Sequence, residues 1–361
     1  MMITAIIFIA VLAVLILVHE LGHFVFAKRA GMKVEEFGFG FPPRLWSVKK
    51  GETTYSINWI PFGGFVKILG EDGEARDNPG SFASKPVRSR FMVLVSGVLM
   101  NFILAAVLLM LGNTLGLRIG LDSQLNNSNA RDIQVQIAHV AKNSPAENAG
   151  LQLLDAIEGF KANGATVHLN DVKTIQEYIA INSGREITML ISRGGEVVEK
   201  NVTPRLAPPQ GEGALGVSLI QTGVVSYPWY EAIWRGLKDS GVLLLNTVYG
   251  YWLFLKSLII QGKLLGDVSG PIGIATLTGQ AARIGFNYLI QFVALISMNL
   301  AVLNIIPFPA LDGGRILLLG IEKIKGRPLS KKIEMAINSI GFALLILLML
   351  YISVKDVARL F

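Results

Sequence analysis

Cysteine is absent from the 361 residues, so neither a disulfide framework nor a thiolate metal site is available to the chain. Charge is also scarce. Only 16% of residues are charged, against about 25% in ordinary soluble domains. With 52% hydrophobic residues and a mean hydropathy of +0.50, that shortage indicates an integral membrane protein carrying some soluble mass. The net charge of +7 and pI near 9.5 would suit a nucleic-acid binder. The basic residues instead cluster beside apolar segments, as cytoplasmic membrane flanks do, so no nucleic-acid partner is expected. Histidine is rarer still, with four in the chain: His19, His23, His139 and His168.

Two of those four stand where a histidine is costly. Ile3 to Val18 holds a single polar residue, Thr4, and leads directly into His19-Glu20-Leu21-Gly22-His23. On a helix, residues four apart share a face, so both imidazoles can hold one metal ion. Glu20 then lies beside the metal, where a carboxylate can take a proton from water. A charge at the centre of a membrane helix costs about 2.5 kcal/mol or more, so such residues are functional by default. The run lacks a basic n-region and a small-residue cleavage site before Lys28-Arg29, so residues 1–27 read as a retained span. Lys28, Arg29 and Lys33 put its far end on the cytoplasmic side and its N-terminus outside.

Residues 28–90 form a membrane-associated stretch on that side. Arg44 to Val48 and Thr53 to Ile60 read as strands joined by Lys49-Lys50-Gly51-Glu52, followed by glycine-rich Phe62-Gly63-Gly64-Phe65-Val66. A solvated hairpin and a strand edge that pairs with an extended peptide both fit. Residues 91–117 form a second span, with Gly97 and Asn101 sharing one face as in close helix packing. Residues 125–222 alternate strand and helix signals outside the membrane, with His139 and His168 as ordinary structural or surface histidines. Ser144-Pro145-Ala146-Glu147-Asn148-Ala149-Gly150-Leu151 resembles part of a PDZ domain, which implies a peptide ligand held by strand addition. Within residues 228–286, Val242 to Ile260 is apolar enough for a span, yet Asn246, Lys256 and the Trp/Tyr content also suit a helix lying in the interface. Residues 287–314 form a span broken by Asn304-Ile305-Ile306-Pro307-Phe308-Pro309-Ala310-Leu311-Asp312-Gly313-Gly314, 315–332 a basic cytoplasmic loop, and 333–355 a last span.

Catalytic zinc usually takes three protein ligands and leaves one position open. The remaining histidines lie in the soluble domain, which leaves a membrane carboxylate. Asp312, on the broken span, is the candidate, although a lone aspartate there also suits a helix cap. To meet the His pair, Asp312 must reach the inner side, so the span over 287–314 must run inward. Residues 228–286 then lie on the outer leaflet without crossing. The expected fold is a polytopic α-helical membrane protein of four transmembrane helices, with a small β region and one extracytoplasmic PDZ-like α+β domain.

His19-Glu20-x-x-His23, the Asn304 to Gly314 segment and the intervening PDZ-like insert together resemble the site-2 protease family, and most closely its bacterial regulator-of-sigma-E type. Phe62 to Phe65, the Gly97–Asn101 pair and Ser269-Gly270-Pro271-Ile272-Gly273 extend the resemblance over nearly the whole chain. It implies a Zn2+ cofactor on His19, His23 and Asp312, with Glu20 as catalytic base. It also implies that Asn304 and the strand region, Phe62, Gly63, Gly64 and Phe65 included, hold the substrate. The expected partners are transmembrane protein substrates and the lipid bilayer of a bacterial inner membrane. The expected reaction cuts membrane segments of single-pass proteins, such as anti-sigma factors or signal-peptide remnants. Some members carry two PDZ domains where this chain has room for one. An inactive PDZ-bearing scaffold and a different membrane metalloprotease are the alternatives. The second would draw its last ligand from elsewhere than Asp312.

Overall fold

The computed structural model describes residues 2–73, 75–121, 130–162, 165–262, 270–327 and 330–358. Residues 125–129 and Ser269, both included in the expectations above, lie outside the described residues, as does the side chain of Phe62. The chain divides into two compact units.

The first unit comprises Met1–Met110, Trp234–Gly279 and Ile290–Phe361. Helix α1 (Met2–Arg29) is apolar as far as Val18 apart from Thr4, then carries His19, Glu20 and His23, and ends in Lys28 and Arg29, which complement the negative end of its dipole. Strands β1 (Val34–Lys50) and β2 (Thr53–Ile68) follow. Both are far longer than the five- and eight-residue strands expected, because each doubles back at its glycine and proline positions. Phe37 consequently faces both Tyr55 and Val66, and Gly38 faces both Ser56 and Phe65. Two chain segments thus make four ribbons side by side, in the order 64–67, 36–39, 54–57 and 46–49. At the bend Gly40 has φ +80, and the Asn58 amide donates to its carbonyl at 2.9 Å. Among the described residues no strand pairs with the outer edge of the 64–67 ribbon.

Helix α2 (Val87–Leu115) packs directly on α1. Gly22 allows this, since a Cβ there would lie 2.4 Å from the Ser96 carbonyl oxygen. Ala27, Met32, Val34, Ile68, Phe82, Val93, Leu94 and Leu319 form a buried cluster around the end of α1.

The second unit comprises Leu111–Ile233 and Gln280–Leu289. Its strands are β3 (Leu117–Gly120), β4 (Arg131–Val140), β5 (Ala156–Ala162), β6 (Ala165–Val167), β7 (Ile187–Arg193), β8 (Glu196–Val202) and β9 (Val217–Val225). They pair antiparallel in the order β3-β9-β4-β5-β7-β8, with β6 beside β5. The short α3 (Pro145–Asn148) is capped by Ser144, whose hydroxyl accepts from the Glu147 N–H at 3.1 Å. Asp171 caps α4 (Val172–Ile181) in the same way and aims Ile175 and Ile179 into a core with Ile137, Phe160 and Met189. His168 is tied by Nδ1 to the Glu158 carbonyl at 3.0 Å.

Four helices complete the chain after α5 (Trp229–Gln261): α6 (Pro271–Ile284), α7 (Phe286–Ile305), α8 (Asp312–Lys325) and α9 (Lys331–Ala358). The first turn of α7 belongs to the second unit, where Gln136 of β4 donates to the Tyr288 hydroxyl at 2.8 Å. Among the described residues five helices are long and apolar enough to cross a membrane, and Trp229–Ile260 is one of them. The stretch 315–332, expected as a loop, is largely the helix α8. Its Leu319 is buried while Lys323 and Lys325 end the last turn, a polarity that reads as a flank from charge alone.

Candidate metal centre

Every residue of the centre belongs to the first unit. α1 presents His19 and His23 one turn apart, toward α2. There the Val93 carbonyl lies 2.8 Å from His23 Nδ1, so that nitrogen carries the proton and Nε2 turns its lone pair inward. His19 Nδ1 lies 3.3 Å from the Asn101 carboxamide, and the Asn101 backbone carbonyl in turn accepts from the Ser297 hydroxyl at 2.8 Å. An amide's oxygen and nitrogen are told apart by their hydrogen bonds. With Oδ1 on His19 Nδ1–H, His19 also keeps a lone pair on its inner nitrogen. That orientation also gives a partner to an oxygen otherwise buried without one.

Gly97 makes room for both rings. A Cβ there would fall 2.4 Å from His23 Nε2 and 2.6 Å from His19 Cε1.

Asp312 arrives from the opposite side. α7 ends at Ile305, and the chain turns through Pro307 to Leu311, with Ala310 at φ +73, before α8 begins at Asp312. The two glycines that follow let the turn close on itself. A Cβ on Gly313 would lie 2.2 Å from the Ile306 carbonyl oxygen, and one on Gly314 2.3 Å from that of Phe308. Gly341 of α9 packs against Pro309 equally closely, where a Cβ would lie 2.3 Å from the proline Cβ.

Three electron-pair donors therefore converge. Asp312 Oδ2 lies 3.2 Å from His19 Nε2 and 3.4 Å from His23 Nε2, and the two imidazole nitrogens are 3.2 Å apart. Oδ2 is buried and has no hydrogen-bond partner. Three acceptors at such distances repel unless a cation sits among them. For tetrahedral zinc with bonds of about 2.0–2.1 Å, ligand atoms should be about 3.3 Å apart. The residues fit zinc, and among the described residues they form the one such cluster of His and acidic side chains.

A cavity of about 250 Å³ opens beside the cluster. Glu20 lines it without belonging to the ligand cluster, together with Phe65, Val66, Ile68, Glu71, Leu94, Ala310 and Arg315. Of the expected substrate-holding residues, Phe65 lines the cavity, and a Cβ on Gly64 would lie 3.4 Å from Glu20 Cγ. Gly63 lies against the Phe41 ring instead, 2.7 Å from where its Cβ would stand. Asn304 sits in the last turn of α7 and does not line the cavity. Three residues near the ligands carried no functional expectation: Asn101, Glu71 and Arg315. The Gly97–Asn101 spacing marks a helix contact, but nothing local pairs an amide with a histidine 82 positions away. Arg315 stands one turn after Asp312, a spacing that puts both on one face of α8.

The sequence pattern of peptidase family M50 matches residues 7–348. A protein of Clostridium perfringens is 37% identical over 344 residues, covering 95% of each chain. The zinc metalloprotease RasP of Shouchella clausii is 32% identical over 441 residues, covering 99% of each. The regulator of sigma-W protease RasP of Bacillus subtilis is 29% identical over 442 residues, again covering 99% of each.

Proposed function

This chain belongs to peptidase family M50 and is a zinc metalloprotease of the site-2 type, and from that premise we propose that it cuts single-pass membrane proteins within their transmembrane segments. One observation carries the proposal: the His19, His23 and Asp312 cluster lies beside the Glu20 carboxylate, and the helix that carries the His pair is apolar and long enough to cross a bilayer. When bound, zinc polarises the scissile carbonyl and lets water attack near neutral pH. Glu20 takes the proton from the attacking water and passes it to the leaving nitrogen. Val93 and Asn101 fix the tautomers of the two histidines, so both lone pairs stay directed at the ion.

A helical substrate hides its amides in internal hydrogen bonds, so it must unwind before it is cut. The outer edge of the 64–67 ribbon, next to Glu20 and without a pairing strand among the described residues, supports a role in which Gly64 to Ile68 replaces those bonds strand to strand. Phe62 and Gly63 continue that ribbon, and Asn304 lies in the last turn of α7, before the turn that delivers Asp312; their proposed share is to guide the segment inward.

Four crossings, by α1, α2, α7 and α9, fit best in a bacterial plasma membrane. α1 ends in Lys28 and Arg29, and α8 ends in Lys323 and Lys325, which favours a cytoplasmic placement for the metal end. Ala232 in α5 and Tyr288 in α7 share the second unit, so the chain between them returns to the side it left. α6, with 14 residues, is about 21 Å long and too short for a core of about 30 Å. An interfacial α5 follows, and its exposed Trp229, Tyr230, Trp234, Tyr249 and Trp252 suit the headgroup region. The second unit is then extracytoplasmic, and we assign it the PDZ-like role of binding peptide.

In reconstituted vesicles, a single-pass reporter is expected to be cut inside its apolar segment, with chelator stopping the reaction and added zinc restoring it. Mass spectrometry of the fragments locates the cut. Cuts confined to the soluble flanks would overturn the proposal.

A further inference from the structure

The cavity's charges are matched to its chemistry, apart from one pair. His19, His23 and Asp312 are the ligand set and Glu20 the base, which leaves Glu71 and Arg315 among its charged lining residues. The Arg315 guanidinium is paired with the Glu71 carboxylate. Three carboxylates thus stand against one guanidinium, a balance that a divalent cation completes. Cleavage then disturbs it. Water gives its oxygen to the acyl carbon and both its hydrogens to the departing nitrogen, so the products are a carboxylate and an ammonium group. The other lining groups are apolar: Phe65, Val66, Ile68, Val93, Leu94 and Ala310. A carboxylate left unpaired among them is costly.

We propose that Arg315 is the receiving site for the newly formed carboxylate, which displaces Glu71 from the guanidinium and so leaves the ligand cluster. The inference rests on the proteolytic function proposed above. Arg315 suits the task because its planar fork accepts a carboxylate through two parallel hydrogen bonds, whereas an ammonium offers only a point charge. It is held in place on the first turn of α8, three residues after Asp312. Glu71 sits in the turn leaving β2, its N–H bonded to the Ile68 carbonyl at 3.2 Å, so the partner that yields belongs to a loop, and it also lines a second cavity, with Arg76, into which its carboxylate can turn. Direction is given by that second cavity, which shares Glu71, Leu94 and Arg315 with the first and adds Arg76, Arg90, Glu322 and Glu334. Arg90 there is bonded to Glu322 at 2.6 Å, while its Nε has no partner. The Arg315–Glu71 pair is the wall common to both cavities, and guanidinium groups continue beyond it.

The test measures binding of an N-terminal product peptide, ending in either a free carboxylate or a carboxamide, to the zinc-loaded full chain in nanodiscs. The carboxylate form is expected to bind wild type at least about tenfold tighter than the amide. In Arg315→Gln that preference should shrink at least severalfold with zinc content unchanged, and Arg315→Lys should keep part of it. Glu71→Gln, which removes the competitor, should enlarge it. An undiminished preference in zinc-loaded Arg315→Gln overturns the inference. Should that variant lose zinc, Glu71→Gln decides, and a preference no larger than wild type overturns it. Failure of the proteolytic function is distinguishable, since wild type would then leave the reporter uncut.

Discussion

Replacing Glu20 by glutamine is expected to lower cleavage by about 10²–10⁴-fold while zinc content stays at the wild-type level. The substitution keeps the side chain's size and shape, turns one accepting oxygen into a donating NH2 group, and removes the ability to accept a proton. Zinc should be unaffected because the ligand cluster is His19, His23 and Asp312, and Glu20 lines the cavity beside it. Metal analysis of the purified variant, paired with turnover of a membrane reporter, separates the two effects. Near-normal turnover would mean that another group moves the proton and that the role given to Glu20 is wrong. Loss of zinc would instead make Glu20 a ligand.

A single methyl group on α2 should be nearly as damaging by a different route. In Gly97→Ala the new Cβ would stand 2.4 Å from His23 Nε2 and 2.8 Å from His19 Nε2, closer than side-chain carbons approach other atoms. Moving the helices apart would give up the close packing of Gly22 on the Ser96 carbonyl, one position away. The imidazoles must therefore turn, losing the bonds to Val93 and Asn101 that set their tautomers. Disturbed support of metal ligands typically costs 10–100-fold in affinity, and a displaced pair should reach about the upper end. Competition with a zinc-binding dye gives the measurement. Leu99→Ala, at a residue 40% exposed on the same helix, serves as the control and should leave affinity unchanged. Wild-type zinc affinity in Gly97→Ala would contradict the close helix contact.

Legibility in the sequence followed distance along the chain. His19, Glu20 and His23 are readable because one helical turn relates them, and helical geometry is local. Asp312 could be reached only by elimination, from the lack of cysteine and the placement of the other histidines. Asn101 was legible as a packing residue but not as a partner of His19, since an amide in a membrane helix looks the same in both roles. The doubled-back course of β1 and β2 was hidden because Gly40 and the Pro61–Gly63 stretch look like strand ends, whereas they are bends within strands. β3 and β6, with four and three residues, are too short for alternation to register. α8 was masked by its basic residues. α5 is the hardest case, since a helix that crosses and one that lies flat draw on the same composition.

The doubling back of β2 has one more effect. A substrate segment paired to the Gly64–Ile68 edge inherits the pleat of that ribbon, in which side chains alternate between faces. Slipping by one residue would exchange the faces and misplace every side chain, so the permitted slip is two residues, about 6.6–6.8 Å. The cut should therefore wander along a substrate in steps of two, giving fragment ladders that favour odd or even lengths. On that reading the metal centre would break the bond, while the ruler that chooses it would be marked in dipeptides.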